Sequence, residues 1–246
     1  MNKVWLVNLG IVPYADALAL QHRIVNARKR RGLNDTLLLL EHPPVFTVGR
    51  NGNEANIVAS RDLLQQIGIQ VFHVERGGDV TYHGPNQLVG YPILDLRNFQ
   101  RDVRWYVHSI EETLIRSLAE FGIGARLIEK LIGVWVEQPD QLDPRLREAK
   151  IAQIGARIEQ WITYNGFALT VDPNMAHFDL IVPCGIGDKG VTSMARVLNH
   201  PIEMCAVRQR VASQFGQVFG VELLEVSLAE LEARLRLVED NKQAQG

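Results

Sequence analysis

The sequence predicts an α+β fold, a mixed sheet packed with helices. Three observations carry that prediction. Apolar runs of strand length recur along the 246 residues. Other segments repeat apolar residues every three or four positions, the period of a helix with one buried face. The two kinds of segment are mixed without the regular strand–helix–strand rhythm of a doubly wound sheet.

In chain order, Val4 to Leu9 reads as a strand. Ala17, Leu20, Ile24 and Ala27 share a helical face, and the basic run Arg28 to Arg31 with Gly32 ends that helix. Thr36 to Leu40 reads as a buried strand. Glu41-His42-Pro43-Pro44 has to leave it, because proline has no N–H for a ladder, and Val45 to Val48 is expected to resume it. Arg61 to Ile67 suits a short helix, Ile69 to Val74 a strand, Gly77-Gly78 a turn and Leu88 to Leu96 a strand. Val103, Val107, Ile110, Leu114, Leu118 and Phe121 mark the clearest helix, stopped by Gly122. Gly133 to Glu137 is strand-like, and Gln138 to Glu148 is a polar loop.

Lys150 to Trp161 and Thr163 to Val171 read as the arms of a hairpin. Asn165-Gly166 is itself a strong turn signal, so the reversal could fall at either place. Met204, Val207, Val211, Phe215 and Val218 mark another helix. Ser227-x-x-Glu230 is a capping box that opens a last one. The polar tail, 241–246, is expected to fray.

The bulk numbers suit a single domain over 1–246. Hydrophobic residues make up 46% and charged residues 22%, enough apolar material for a sizeable core. A net charge of −2 does not suggest a nucleic-acid binder. Two cysteines, Cys184 and Cys205, make neither a disulfide framework nor a cysteine-rich zinc site. With no apolar run of membrane-spanning length and no signal-peptide pattern, a cytoplasmic protein without metal, cofactor, nucleic acid or membrane partner is expected.

Four stretches hold residues that could do chemistry: 41–50, 76–88, 150–155, and 183–193 with Cys184. Pro183 and Gly185 suggest that Cys184 sits on a turn, and Gly185 offers an N–H toward a developing oxyanion. A lone cysteine is more often a small buried hydrophobe, and Cys205, on a helical pattern, is expected at or near the core. A reactive thiol needs a neighbour that favours the thiolate. Lys150 opens the apolar segment Ile151-Ala152-Gln153-Ile154, so it is either an exposed strand-start charge or a partly buried amine able to exchange a proton. His83 could orient or stabilise; His22, His73, His108, His177 and His200 read as structural. Arg76 to His83 packs flexible backbone, a guanidinium, a phenol and an imidazole into eight residues, as a substrate-lining loop would. It matches no phosphate-binding glycine pattern.

These stretches, in this order, resemble the lipoyl(octanoyl) transferase family. EHPPVFTVGR (41–50), RGGDVTYHGPNQLVGYPILDL (76–96), GVWV (133–136), KIAQIGARI (150–158), NGFALTV (165–171) and PCGIGDKGVTS (183–193) all look like family motifs. The resemblance implies the fold shared by biotin and lipoate protein ligases. It implies transfer of octanoyl from octanoyl-acyl carrier protein to a lysine of lipoyl domains, in 2-oxoacid dehydrogenase E2 subunits, or of the glycine-cleavage H protein, by a monomeric enzyme. It assigns Cys184 as the acyl-thioester nucleophile and Lys150 as its acid–base partner. It implies that the acyl group is lined by Arg76, Gly77, Gly78, Asp79, Val80, Thr81, Tyr82 and His83, by Gln153, Ile154 and Gly155, and by Gly166, Phe167 and Ala168. The sequence departs from the family at Asn86, where a glycine is usual, at Asn165, where a histidine is usual, and at Thr170, where an asparagine is usual. The rival readings are a lipoate-protein ligase or lipoyl amidotransferase on the same fold, a non-catalytic acyl-binding module, and a thiol hydrolase using Cys184 and His83.

Overall fold

A computed structural model describes residues 2–138, 140–183 and 189–243 of the chain. Cys184 and Gly185 therefore lie outside the described residues.

The chain opens with strand β1 (Asn2–Ile11), helix α1 (Tyr14–Lys29) and strand β2 (Asp35–Glu41). The prolines after Glu41 end β2, as expected. Strand β3 (Val45–Val48) does not resume it, however. The Pro43-Pro44 bend carries β3 into a separate sheet, where it pairs parallel with β4 (Gln70–His73) and antiparallel with β5 (Val80–His83). Helix α2 (Arg61–Gln66), capped by the Ser60 side chain, precedes β4. Sequence reading took 80–83 as part of a loop. It is a strand because Val80, Thr81, Tyr82 and His83 find a partner in β3, which no local pattern announces.

The main sheet has eight strands in the order β11-β1-β2-β6-β10-β9-β8-β7. Its further members are β6 (Gln87–Ile93), β7 (Ala125–Ile128), β8 (Leu131–Glu137), β9 (Glu148–Glu159), β10 (Ile162–Thr170) and β11 (Val221–Glu225). β1 pairs parallel with β2 and β11, and the remaining ladders are antiparallel. Sequence reading missed β7 and β11. Both are short edge strands with little buried apolar surface of their own.

One face of the sheet is covered by α3 (Val103–Ala119) and α5 (Met204–Phe219), with Tyr106, Ile110, Leu114, Val211 and Phe215 in one apolar cluster. The other is covered by α1 and α6 (Leu228–Gln243), through Ala17, Ile24, Leu231 and Leu235. The short helix α4 (Met194–Leu198) leads into α5. The Ser227–Glu230 capping box forms at the start of α6, and that helix runs past Asp240 to Gln243, further than the expected frayed tail allows. Cys205 is exposed, not in the core, because it lies on the outer side of the first turn of α5.

The β9–β10 hairpin reverses at Gln160-Trp161, whose φ values of 53° and 67° are those of a two-residue type I′ turn. Asn165-Gly166, the rival turn, lies inside β10 instead. Asn165 takes φ 54° there, a left-handed conformation that asparagine tolerates.

Candidate active site

Lys150 is 5% exposed, so the reading of it as a buried amine holds geometrically over the exposed alternative. It sits on β9 directly across from Trp135 on β8. Its Nζ lies 4.7 Å from the Trp135 ring centroid, a cation–π distance. Beside them, Gly133 takes φ 124°, and a Cβ there would fall 3.2 Å from Lys150 Cε and 2.8 Å from the Ala152 carbonyl oxygen. Glycine at 133 thus makes room for the lysine stem. From α3, the Glu111 carboxylate accepts the Gly133 N–H. Burial pushes the Glu111 carboxyl above its ordinary range, against the pull of that N–H and of Lys150. The GVW segment is built around Lys150.

The strand register holds a second feature. Val134 pairs with Ala152 and Trp135 with Lys150, so β9 spends one extra residue, Ile151, where β8 spends none. This is a β-bulge. Both Ile151 and Ala152 then face the apolar cluster under α3 and α5. Simple alternation would put Lys150 and Gln153 on opposite faces of the sheet. The bulge puts them on the same one.

The described residues before and after 184–188 are each hydrogen-bonded to other parts of the chain. Val182 N–H donates to the Asn56 carbonyl at 2.7 Å, and Ile181 bridges Ile57. On the far side, the Lys150 N–H donates to the Gly190 carbonyl at 2.9 Å, and the Thr192 N–H donates to the Lys150 carbonyl at 3.0 Å. Lys189 is ion-paired with Glu148 and lies 6.0 Å from the Trp135 ring. That pairing holds the Glu148 carboxyl below its usual range. Pro183 and Lys189, which flank the undescribed residues, both line a cleft of about 580 Å³ that also takes in Arg145, Phe178 and Arg196.

A second, narrow cleft of about 40 Å³ lies between the small sheet and the β9–β10 hairpin. It is lined by Arg76, Gly78, Asp79, Val80, Thr81, His83, Gln153, Ile154, Gly155, Gly166, Phe167 and Ala168, which the sequence had grouped as acyl-lining, together with Tyr14, Tyr91 and Asn165, which it had not. Two residues of the expected set stand apart. The Tyr82 side chain turns to the other side of β5, packing edge-on against Phe46 and Phe178 and bonding His177 Nδ1. Gly77 lies against the hairpin, its N–H donating to Ala156 and its carbonyl oxygen 2.8 Å from where a Cβ on Gly155 would sit.

Arg76 staples this loop. Its guanidinium donates to the Thr47 hydroxyl and carbonyl and to the carbonyls of Gly77 and Asp79. At the other end, His83 Nδ1–H donates to Gln87 Oε1, and the Tyr14 ring stacks on the imidazole. His42 Nδ1–H donates to the Val12 carbonyl, which leaves its Nε2 to accept from the Tyr91 hydroxyl. Burial lowers His42 to about 4; burial and the neighbouring His42 lower His83 to about 3. Both imidazoles are therefore neutral near pH 7. Burial raises the Tyr14 phenol to about 12.

The departures from the family pattern fit this frame. Asn86 takes φ 62°, a left-handed position where glycine is the easy residue, and its N–H donates to the Glu41 carboxylate at 2.8 Å. Thr170 donates its hydroxyl to Gln153. Trp135 was visible only as part of a motif. Tyr14 and Tyr91 carried no local signal, because helix and strand patterns treat them as core.

The chain is similar to known proteins in both sequence and fold. A family model, the lipoyl protein ligase A/B catalytic domain, matches residues 13–216. An octanoyltransferase of Caldicellulosiruptor saccharolyticus is 46% identical over 95% of this chain and 97% of its own. One of Solibacter usitatus is 46% identical over 91% and 96%. Among solved structures, a bipartite lipoate protein ligase of Thermoplasma acidophilum superposes with a TM-score of 0.73 at 17% identity, covering 98% of this chain and 93% of that one. A lipoate-protein ligase A bound with ATP gives 0.71 at 17% identity, covering 98% and 95%. At that identity the two structures speak for the fold alone. The family model and the relatives go further: the chain belongs to the octanoyltransferases of the lipoyl protein ligase A/B catalytic-domain family, acyltransferases of protein lipoylation.

Proposed function

We propose that the chain carries octanoyl as a thioester on Cys184, taken from octanoyl-acyl carrier protein and passed to a lysine of a lipoyl domain or of the glycine-cleavage H protein. The observation that carries this reading is the pair of backbone hydrogen bonds joining Lys150 to Gly190 and Thr192. They tie a buried lysine to residues 190–192, which follow Cys184 closely in sequence. The acyl chain lies between residues 76–83, 153–155 and 166–168, whose cleft of about 40 Å³ has to open to admit eight carbons.

The Cys184 thiolate attacks the donor carbonyl, and Lys150 as ammonium favours that thiolate. The carbon–sulfur bond to the carrier breaks, and the carrier thiol leaves with a proton from Lys150. The acceptor amine then attacks the acyl-enzyme, its proton passes to the neutral Lys150, and the Cys184 thiolate departs as the amide forms. The enzyme acts as a monomer in the cytoplasm. No helix among the described residues is long and apolar enough to cross a membrane.

Intact mass after mixing with octanoyl-acyl carrier protein tests the covalent step. The wild type should gain one octanoyl group, and Cys184→Ala none. An octanoyl adduct on Cys184→Ala would remove Cys184 from the mechanism. ATP-dependent use of free octanoate that survives the loss of Cys184 would make the chain a ligase.

A further inference from the structure

Three buried side-chain atoms at the narrow cleft have no hydrogen-bond partner among the described residues: Thr81 Oγ1, Asn165 Oδ1 and Gln153 Nε2. A buried polar atom without a partner is costly and calls for an explanation. An acyl thioester brings one useful polar atom, the carbonyl oxygen, and it only accepts. Asn165 Oδ1 also only accepts, so the two cannot match. Thr81 lies across the cleft on β5, on the other sheet from Lys150. Gln153 Nε2 only donates, and it sits on the strand that carries Lys150.

Two features aim it. The Thr170 hydroxyl, fully buried on β10, donates to Gln153 Oε1 at 3.4 Å. That bond occupies the carboxamide oxygen and leaves the nitrogen as the free end. The bulge at Ile151 then brings Gln153 to the same face as Lys150. Three positions along a strand, one of them taken up by the bulge, separate the two Cα atoms by roughly 7–10 Å. Over that span Lys150 reaches toward Trp135 on the β8 side of β9 and Gln153 toward Thr170 on the β10 side.

We propose that Gln153 is a catalytic residue whose Nε2–H donates to the acyl carbonyl oxygen, and that Thr170 is the positioning residue that holds its carboxamide. This deepens the reading given above and rests on an acyl group lying in the narrow cleft with its carbonyl beside Lys150. As charge develops on that oxygen in the tetrahedral intermediate, the hydrogen bond strengthens. Gln153 would therefore act in both the acylation and the transfer step, since each passes through such an intermediate.

Four variants of the full chain test this: Gln153→Met, of similar length without the donor; Gln153→Glu; Thr170→Val; and Thr170→Ser. Steady-state transfer from octanoyl-acyl carrier protein to an unmodified lipoyl domain is followed, with single-turnover adduct formation read by intact mass. Gln153→Met should lower kcat by about 10–100-fold with the donor KM little changed, the pattern of a lost oxyanion donor. Its thermal midpoint should fall modestly, because the buried Thr170 hydroxyl loses its acceptor. Gln153→Glu, which turns the donor into an acceptor, should be no better. Thr170→Val should lose several-fold in kcat, and Thr170→Ser should restore it. A Gln153→Met variant within twofold of wild-type kcat at a temperature where it is folded, or a loss confined to KM, would overturn the role of Gln153. In those cases a normal wild-type adduct on Cys184 leaves the thioester reading standing. A wild type that forms no adduct sinks that reading, and the role of Gln153 with it.

Discussion

Lys150 Nζ lies 4.7 Å from the centroid of the Trp135 ring, and Lys189 Nζ lies 6.0 Å from that ring. One indole thus meets two ammonium groups. One belongs to Lys150 on β9, the other to Lys189, which precedes Gly190 and Val191. Glu148 draws Lys189 toward β9, and Glu111 lies on the α3 side of Lys150. The indole and these carboxylates surround the two amines with groups that favour positive charge.

Trp135 should therefore matter to rate beyond its packing. Removing a desolvated cation–π contact forfeits about 1–2 kcal/mol, roughly tenfold in rate if it is felt at the Lys150 ammonium. Trp135→Leu is expected to slow adduct formation by about that factor and to destabilise the fold, since a buried indole is lost. Trp135→Phe keeps a π face and should recover most of the rate. Equal rates for the Phe and Leu variants, measured at a temperature where both are folded, would assign Trp135 to packing alone.

Lys150→Arg separates the two tasks proposed for Lys150. Arginine keeps the positive charge that favours a thiolate but does not give up its proton. Acylation of Cys184 should survive in part, while transfer to the acceptor lysine falls by about 10²–10⁴, the usual worth of a general base. Intact mass should then show acyl-enzyme that persists after the lipoyl domain is added. Prompt discharge of that adduct would mean that another group takes the acceptor's proton.

Gly133→Ala should damage stability and activity together. A Cβ there meets the Ala152 carbonyl at 2.8 Å and the lysine stem at 3.2 Å, at a φ of 124° that L residues rarely adopt. A loss of about 1–3 kcal/mol is expected, with a drop in transfer because Lys150 has to shift. Denaturant unfolding and a transfer assay on the same sample check both parts.

The paired imidazoles make stability pH-dependent. His42 and His83 have folded-state values near 4 and 3, below the ordinary 6.5. The unfolded chain takes up protons first as pH falls, so both histidines favour the folded state fully above about pH 6.5 and lose that contribution progressively toward pH 3–4. The thermal midpoint should fall between pH 7 and pH 4.5. His42→Gln, which can still donate to Val12 and accept from Tyr91, should narrow that fall. A midpoint with the same acid dependence in both proteins would leave other groups as its cause.

Local pattern reached a good part of this molecule. The faces of α1, α3 and α5 follow from apolar residues at helical spacing, and the start of α6 from Ser227 and Glu230. Strands β1, β2 and β6 follow from apolar runs. Most of the residues grouped from the motifs do line one cleft. Cys205 and Tyr82 went the other way, because exposure and facing depend on which elements pack nearby and not on the residue type.

What the sequence determined by itself was most of the helices, the apolar central strands, the family pattern and the identity of the candidate pair, Cys184 and Lys150. Those rest on periodicity, capping and motif, which are local. The tertiary structure decided which residues face one another. Pro43-Pro44 sends β3 into the second sheet, the hairpin turns at Gln160-Trp161 and not at Asn165-Gly166, and one extra residue at Ile151 brings Gln153 round to the face of Lys150. Strand register is a contact between distant parts of the chain, and a shift of a single residue reverses every side chain beyond it.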